Sequence, residues 1–266
     1  MSSTSRYSIG LDELQCKKRH LWRSMAAEFL GNFILNFFAS GACTQPEDGT
    51  FKALSFGFGI FAAITIVGHL SGGHINPAVT IAMLLAGRLS LIRAILYILA
   101  QCFGSLAGTS TIKGILDEAY HNGLGHNRLA ENVSEFQGFG IEFVLGLLLV
   151  LTVFGACDAN KPDNRFTAPF AIGMCVTLGH LGTIRYTGTG MNPARTFGTA
   201  YATNNWKSHW VFWAGPILGA VVATLIYLQI LELPAEPPKT TEASDKYRIH
   251  AYERELKKLD TTRVFA

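Results

Sequence analysis

Apolar residues fall in long runs along this chain, and the charges stand between the runs. Residues 53–87, 94–112, 166–184 and 208–231 hold no Lys, Arg, Asp or Glu. Segment 136–157 holds only Glu142, and Glu28 is the one charge between Arg23 and Glu47. A spanning helix needs about 20 mostly apolar residues. The pattern predicts six such helices, over about 22–43, 53–70, 92–112, 136–157, 166–185 and 209–231. Two more apolar segments, 76–86 and 192–202, are too short to cross. At about 1.5 Å per residue each reaches half the hydrocarbon core. The expected fold class is an all-α membrane protein with six transmembrane helices and two re-entrant half-helices.

Both short segments open on one tripeptide, Asn76-Pro77-Ala78 and Asn192-Pro193-Ala194. Pro at the first helical position, with Asn before it, is a helix start. A helix that starts at membrane depth presents unpaired N–H groups and the positive end of its dipole, and these must face something polar, such as water in a pore. The two Asn side chains cap the half-helices and point amide donors into that pore. Two donors can hold one water by its oxygen, so its hydrogens point away from the junction and interrupt a proton wire. Arg195 is the only charge in 186–206 and is costly at that depth unless it faces water or a partner.

The halves repeat. Ala27-Glu28-Phe29 matches Ile141-Glu142-Phe143, and Gly68-His69-Leu70 matches Gly179-His180-Leu181. Three spans per half is an odd number, so the second repeat (136–231) lies inverted relative to the first (22–112), which places a pathway on a pseudo-two-fold axis in the membrane plane. His69 precedes Asn76 by seven residues and His180 precedes Asn192 by twelve, so the second connection differs. Glycine pairs Gly104 and Gly108, Gly140 and Gly146, and Gly215 and Gly219 predict close helix packing.

Composition agrees: 49% hydrophobic and 15% charged, against about a quarter charged in a soluble domain. The net charge of +3 comes from a basic cluster (Arg6, Lys17, Lys18, Arg19, Arg23) before the first span. It reads as a topology marker rather than a nucleic-acid site and puts both tails, 1–21 and 232–266, in the cytoplasm. The polar first 20 residues show no cleavable signal. The five cysteines lack metal or redox spacing and read as small buried hydrophobes, so no metal or cofactor is implied. Trp22, Trp206 and Trp210 suit interfacial anchors. In the tail, Pro234, Pro237 and Pro238 end the last span, 247–259 reads as a charged amphipathic helix, and Thr240, Thr241 and Ser244 are weak phosphorylation candidates. Asn132-Val133-Ser134 is a glycosylation sequon in the connection expected to lie outside.

The runs Ser71-Gly72-Gly73-His74-Ile75-Asn76-Pro77-Ala78-Val79-Thr80 and Gly188-Thr189-Gly190-Met191-Asn192-Pro193-Ala194-Arg195 resemble the signatures of the aquaporin (major intrinsic protein) family, in its water-selective animal branch. The resemblance covers about 22–231 and implies a passive plasma-membrane water channel, not an enzyme, that excludes protons and ions and assembles as a homotetramer with one pore per subunit. It places Phe56, His180, Thr189 and Arg195 at the selectivity filter and His74 at the cytoplasmic constriction. It makes the carbonyls of Gly72, Gly73, His74, Ile75, Gly188, Thr189, Gly190 and Met191 an acceptor ladder, with Arg195 and His180 as donors to water. Glu28 and Glu142 hold the re-entrant loops, and His69 is a helix-end residue. Glycerol-conducting relatives carry an Asp after the Arg, where this chain has Thr196; Phe212-Trp213 also fits the water-selective pattern. A solute channel, a secondary transporter and a junction protein are the rival readings.

Overall fold

The structure is a computed structural model that describes residues 8–11, 13, 20–45, 48–158, 160, 164 and 167–233. The chain up to Glu232 is one compact unit, and Leu233 begins a second. Arg6, Cys16, Lys17, Lys18, Arg19, the tail prolines, the 247–259 segment, Thr240, Thr241 and Ser244 lie outside the described residues.

Among the described residues the fold is helical throughout. The long helices are α1 (Leu21–Cys43), α2 (Gly49–Ser71), α4 (Leu91–Ile115), α5 (Glu135–Ala156), α6 (Ala168–Thr187) and α8 (Val211–Ile226), the last continuing as a π turn over Tyr227–Leu231. Between them sit two half-length helices, α3 (Pro77–Leu85) and α7 (Pro193–Thr203). Local chemistry sets the starts. Asp48 accepts from the Thr50 amide at 2.8 Å, which begins α2 four residues before the uncharged run. Ser134 and Gln137 close a capping box on α5, so the hydroxyl of the sequon serves the helix. Pro stands at the start of α3 and α7, where no amide hydrogen is needed.

Helices α2, α4, α5 and α8 with its π turn have mean hydropathy of 1.6 to 2.3 and the length to cross a bilayer. Helices α1 and α6 have the length, 23 and 20 residues, but polar side chains dilute them. In α1 the cause is visible. Ser24, Glu28, Asn32, Asn36 and Ser40 recur every fourth residue, and none is more than 2% exposed. Residues four apart share a helix face, so α1 turns a polar stripe inward and shows Leu30 and Phe38 outward.

The packing follows the repeat: α1 lies against α4, α5 against α8, and α2 crosses α6. Glycine permits the approach at equivalent places. A Cβ at Gly104 would strike the Phe29 carbonyl of α1, and one at Gly219 would strike the Phe143 carbonyl of α5. Gly57 and Gly173 meet across α2 and α6, each with the other's carbonyl 2.6 Å from where a Cβ would stand. Gly140 departs from the expectation: nothing lies within 4 Å of its Cβ position, because it faces outward from α5. Cys157 departs too. It is exposed just past the end of α5, whereas Cys43 and Cys175 are buried and Cys102 is half-buried. Trp22, Trp206 and Trp210 are exposed near helix ends.

Candidate pore

The two half-helices begin deep in the bundle, and a carboxylate holds each approach segment. Glu28 Oε1 accepts from Ser71 Oγ (2.6 Å) and the His74 amide (2.9 Å). Its Oε2 accepts from the Ile75 amide (2.6 Å) and Gln101 Nε2 (2.8 Å). Glu142 repeats the arrangement in the other half. Its Oε1 accepts from Thr187 Oγ1 (2.7 Å) and the Gly190 amide (2.8 Å), and its Oε2 from the Met191 amide (2.7 Å). Both carboxylates are 0% exposed. Charge-assisted bonds of this kind are about twice as strong as neutral ones. They hold an unusual backbone: φ is +92° and +63° at Gly72 and Gly73, +53° at Ile75 and Thr189, and +57° at Met191. Side chains other than glycine rarely take such values. Thr189, β-branched, stands where the first repeat has Gly73.

The segments meet at the two asparagines. Asn76 Oδ1 accepts from the Ala78 amide at 2.8 Å, and Asn192 Oδ1 from the Ala194 and Arg195 amides at 3.0 and 3.2 Å. Each side-chain amide then reaches into the opposite repeat. Asn76 Nδ2 donates to the Met191 carbonyl (3.0 Å), and Asn192 Nδ2 to the Ile75 carbonyl (2.7 Å). An amide nitrogen carries two hydrogens, so one on each asparagine remains. Both asparagines border a cavity of about 720 Å³ that continues past them in both directions.

At one end the cavity reaches the exposed Arg88. Arg88 pairs there with Glu232 at 2.9 Å, and Cys157 and the exposed His69 lie on the wall. His74 also lines it, with Nδ1 3.2 Å from Thr80 Oγ1 and its ring edge-on to Tyr97. At the other end the wall closes on Phe56, His180 and Arg195, none more than 3% exposed. The Phe56 and His180 rings stack with centroids 4.1 Å apart, and the Arg195 guanidinium carbon stands 4.6 Å from the Phe56 ring centre.

One site expectation, His180 as a donor, needs correction, and the others can be set beside the cavity lining. His180 Nδ1 lies 2.9 Å from the Val176 carbonyl. A carbonyl only accepts, so Nδ1 carries the proton and the neutral ring offers Nε2, buried and unpartnered, as an acceptor rather than a donor. Thr189 is fully buried with Oγ1 2.8 Å from Thr183 Oγ1, and it is not on the cavity wall. Of the ladder residues, Gly72, Gly73, His74, Gly190 and Met191 border the cavity, whereas Ile75, Gly188 and Thr189 do not. The Ile75 and Met191 carbonyls are already engaged by the asparagines.

Sequence reasoning missed Asn127. It is 0% exposed although it sits in the connection between α4 and α5. Its Oδ1 accepts from Arg195 Nη1 and, at 2.8 Å, from Thr196 Oγ1. Asn36 Nδ2 donates to the Arg195 carbonyl at 3.2 Å. Ser71 and Thr187 had a signal that went unused: each is a hydroxyl five residues before its asparagine. Asn132 is exposed on the turn ahead of α5.

Two half-helices that start head to head beside one cavity, on an inverted repeat of membrane-spanning helices, define an integral membrane channel. The chain belongs to the major intrinsic protein family, whose profile matches residues 15–227. It is 41% identical to human Aquaporin-1 over 88% of this chain and 89% of that one. It is 39% identical to Aquaporin FA-CHIP of Pelophylax lessonae over 93% and 96%. Its fold matches the X-ray structure of the aquaglyceroporin from Plasmodium falciparum with a TM-score of 0.74 at 25% identity, covering 79% of this chain and 97% of that chain.

Proposed function

We propose that the chain is a passive, water-selective channel that excludes protons and ions. The observation that carries this reading is the asparagine pair at the centre of the cavity. One N–H of Asn76 and one of Asn192 remain for a water oxygen, and the positive ends of α3 and α7 face the same point. A water held there by its oxygen directs its hydrogens outward along the cavity and cannot pass a proton through, while the dipoles repel cations. At the narrow end Arg195 donates and His180 Nε2 accepts, which suits one water, and two rings leave little width for a carbon skeleton. A glycerol channel is the second reading, motivated by the structural match to an aquaglyceroporin; the stacked rings and Thr196 favour water.

Family membership supports a homotetramer, and a cavity lined by one chain alone supports one pore in each subunit. Both tails lie in the cytoplasm, so the mouth at Arg88 is cytoplasmic, the filter is external, and exposed Asn132 is available for glycosylation. The setting is the plasma membrane.

The test is osmotic swelling of vesicles carrying the protein, with water and glycerol gradients compared. Fast water flux without glycerol entry is the expected result, and glycerol flux matching that of water would sink the reading. Arg195→Val is expected to raise both proton conductance and small-solute flux, because the constriction loses its charge and its bulk. Wild-type values in correctly inserted protein would remove Arg195 from the constriction. Impermeant mercurials applied outside are expected to leave water flux intact, since Cys43 and Cys175 are buried. The same reagent inside should block through Cys157, exposed on the cavity wall. Block that persists in Cys157→Ser would contradict this.

A further inference from the structure

The connection between α4 and α5 turns back into the protein at Asn127, and the residue before it, His126, has no part in the pore described above. His126 is half-buried, and both its ring nitrogens are buried without a hydrogen-bond partner. The charged and titratable groups that act on it are Arg195 of α7, His209 of the turn before α8 and Arg128 of its own loop. The Cys43 thiol at the end of α1 lies beside the neighbouring Gly125, whose Cβ position is 2.9 Å from that sulfur and 3.6 Å from Arg195 Nη2. Burial first, then the nearby cations, push the His126 ring down to about 4, so it is neutral at neutral pH.

We propose that His126 is a positioning residue for the filter, and that its protonation from the external side draws Asn127 off Arg195 and narrows the pore. This inference rests on the water-channel reading and its orientation. A proton on His126 puts a second cation in a poorly solvated place beside Arg195. The chain can relieve that by turning the ring out to water. The backbone just before it turns through Gly123, Leu124 and Gly125, with φ of +70°, +50° and +71°, and the turn is open at Gly123, where nothing lies within 4 Å of a Cβ. Asn127 is the next residue, and its Oδ1 cannot stay on both Arg195 and Thr196 while the turn swings outward. Arg195 then loses its side-chain acceptor, and its guanidinium is free to settle onto the Phe56 ring, 4.6 Å away. The sign is fixed. A base held below its ordinary value of 6.5 favours the closed loop when neutral, and that preference is lost as pH falls through about 4.

The test is osmotic water flux in intact cells expressing the full chain, with only external pH varied. Flux at about pH 7.4 measures the channel reading itself. Acidification to about pH 4, where about half of the rings carry the proton, is expected to cut wild-type flux about twofold. His126→Gln, which keeps the volume and takes no proton, should match wild type at neutral pH and show no acid response; His126→Asn serves as a second variant should the first fail to reach the membrane. His209→Gln should keep the response. A wild-type flux that stays flat on acidification overturns the proposal, as does a response that survives in both His126 variants or vanishes in His209→Gln. Absence of water flux at neutral pH overturns the channel reading, and this inference with it.

Discussion

A chain carrying Phe56→Ala and His180→Ala together is expected to pass glycerol at least about tenfold faster than the native channel, a fall of about 1.4 kcal/mol or more in the barrier. The two rings stack at 4.1 Å, and the guanidinium lies against one of them. Removing either alone lets the other relax into part of the space, so the single changes should do less than the pair. Arg195 stays in the double variant with its donors, and a polyol can use them. The measurement is glycerol uptake by vesicles, normalised to inserted protein. Negligible uptake in a well-inserted double variant would place the constriction elsewhere.

Glu142→Ala is expected to cost the fold itself. Three donors, Thr187 Oγ1 and the amides of Gly190 and Met191, lose their acceptor at a site with no exposure. Each buried donor left unmade costs about 1–3 kcal/mol, and together they rival the whole stability of a typical domain, about 5–15 kcal/mol. Met191 would also lose the bond that holds its positive φ. The melting temperature of detergent-purified protein is the measurement, and an unchanged value would show that the second re-entrant segment needs no carboxylate.

Much of this architecture was legible because its causes are local or periodic. Uncharged length marks the spans, and the Asn-Pro pair marks each half-helix start. The short segments 76–86 and 192–202 lie close to Pro77–Leu85 and Pro193–Thr203. Other features depend on contacts between distant residues. Asn127 sits in a connection with no hydrophobic period, and only the folded chain brings it to Arg195, 68 positions on. The role of His180 in hydrogen bonding turns on the Val176 carbonyl one helical turn earlier, which fixes a tautomer that residue type leaves open. Gly140 and Gly146 stand six residues apart and so on different faces of one helix, and only Gly146 meets a partner, the Pro216 backbone.

The polar stripe of α1 bears on how the chain enters a bilayer. Newly made spans reach lipid in order, and a helix alone there must satisfy its polar side chains or keep them from the hydrocarbon. Asn36 finds Thr109 Oγ1 of α4 at 3.0 Å, and Asn32 Oδ1 accepts from Ser105 of the same helix at 3.2 Å. Those partners are synthesised about 70 residues later. Until α4 arrives, the first span carries these polar side chains without the partners that satisfy them in the finished fold.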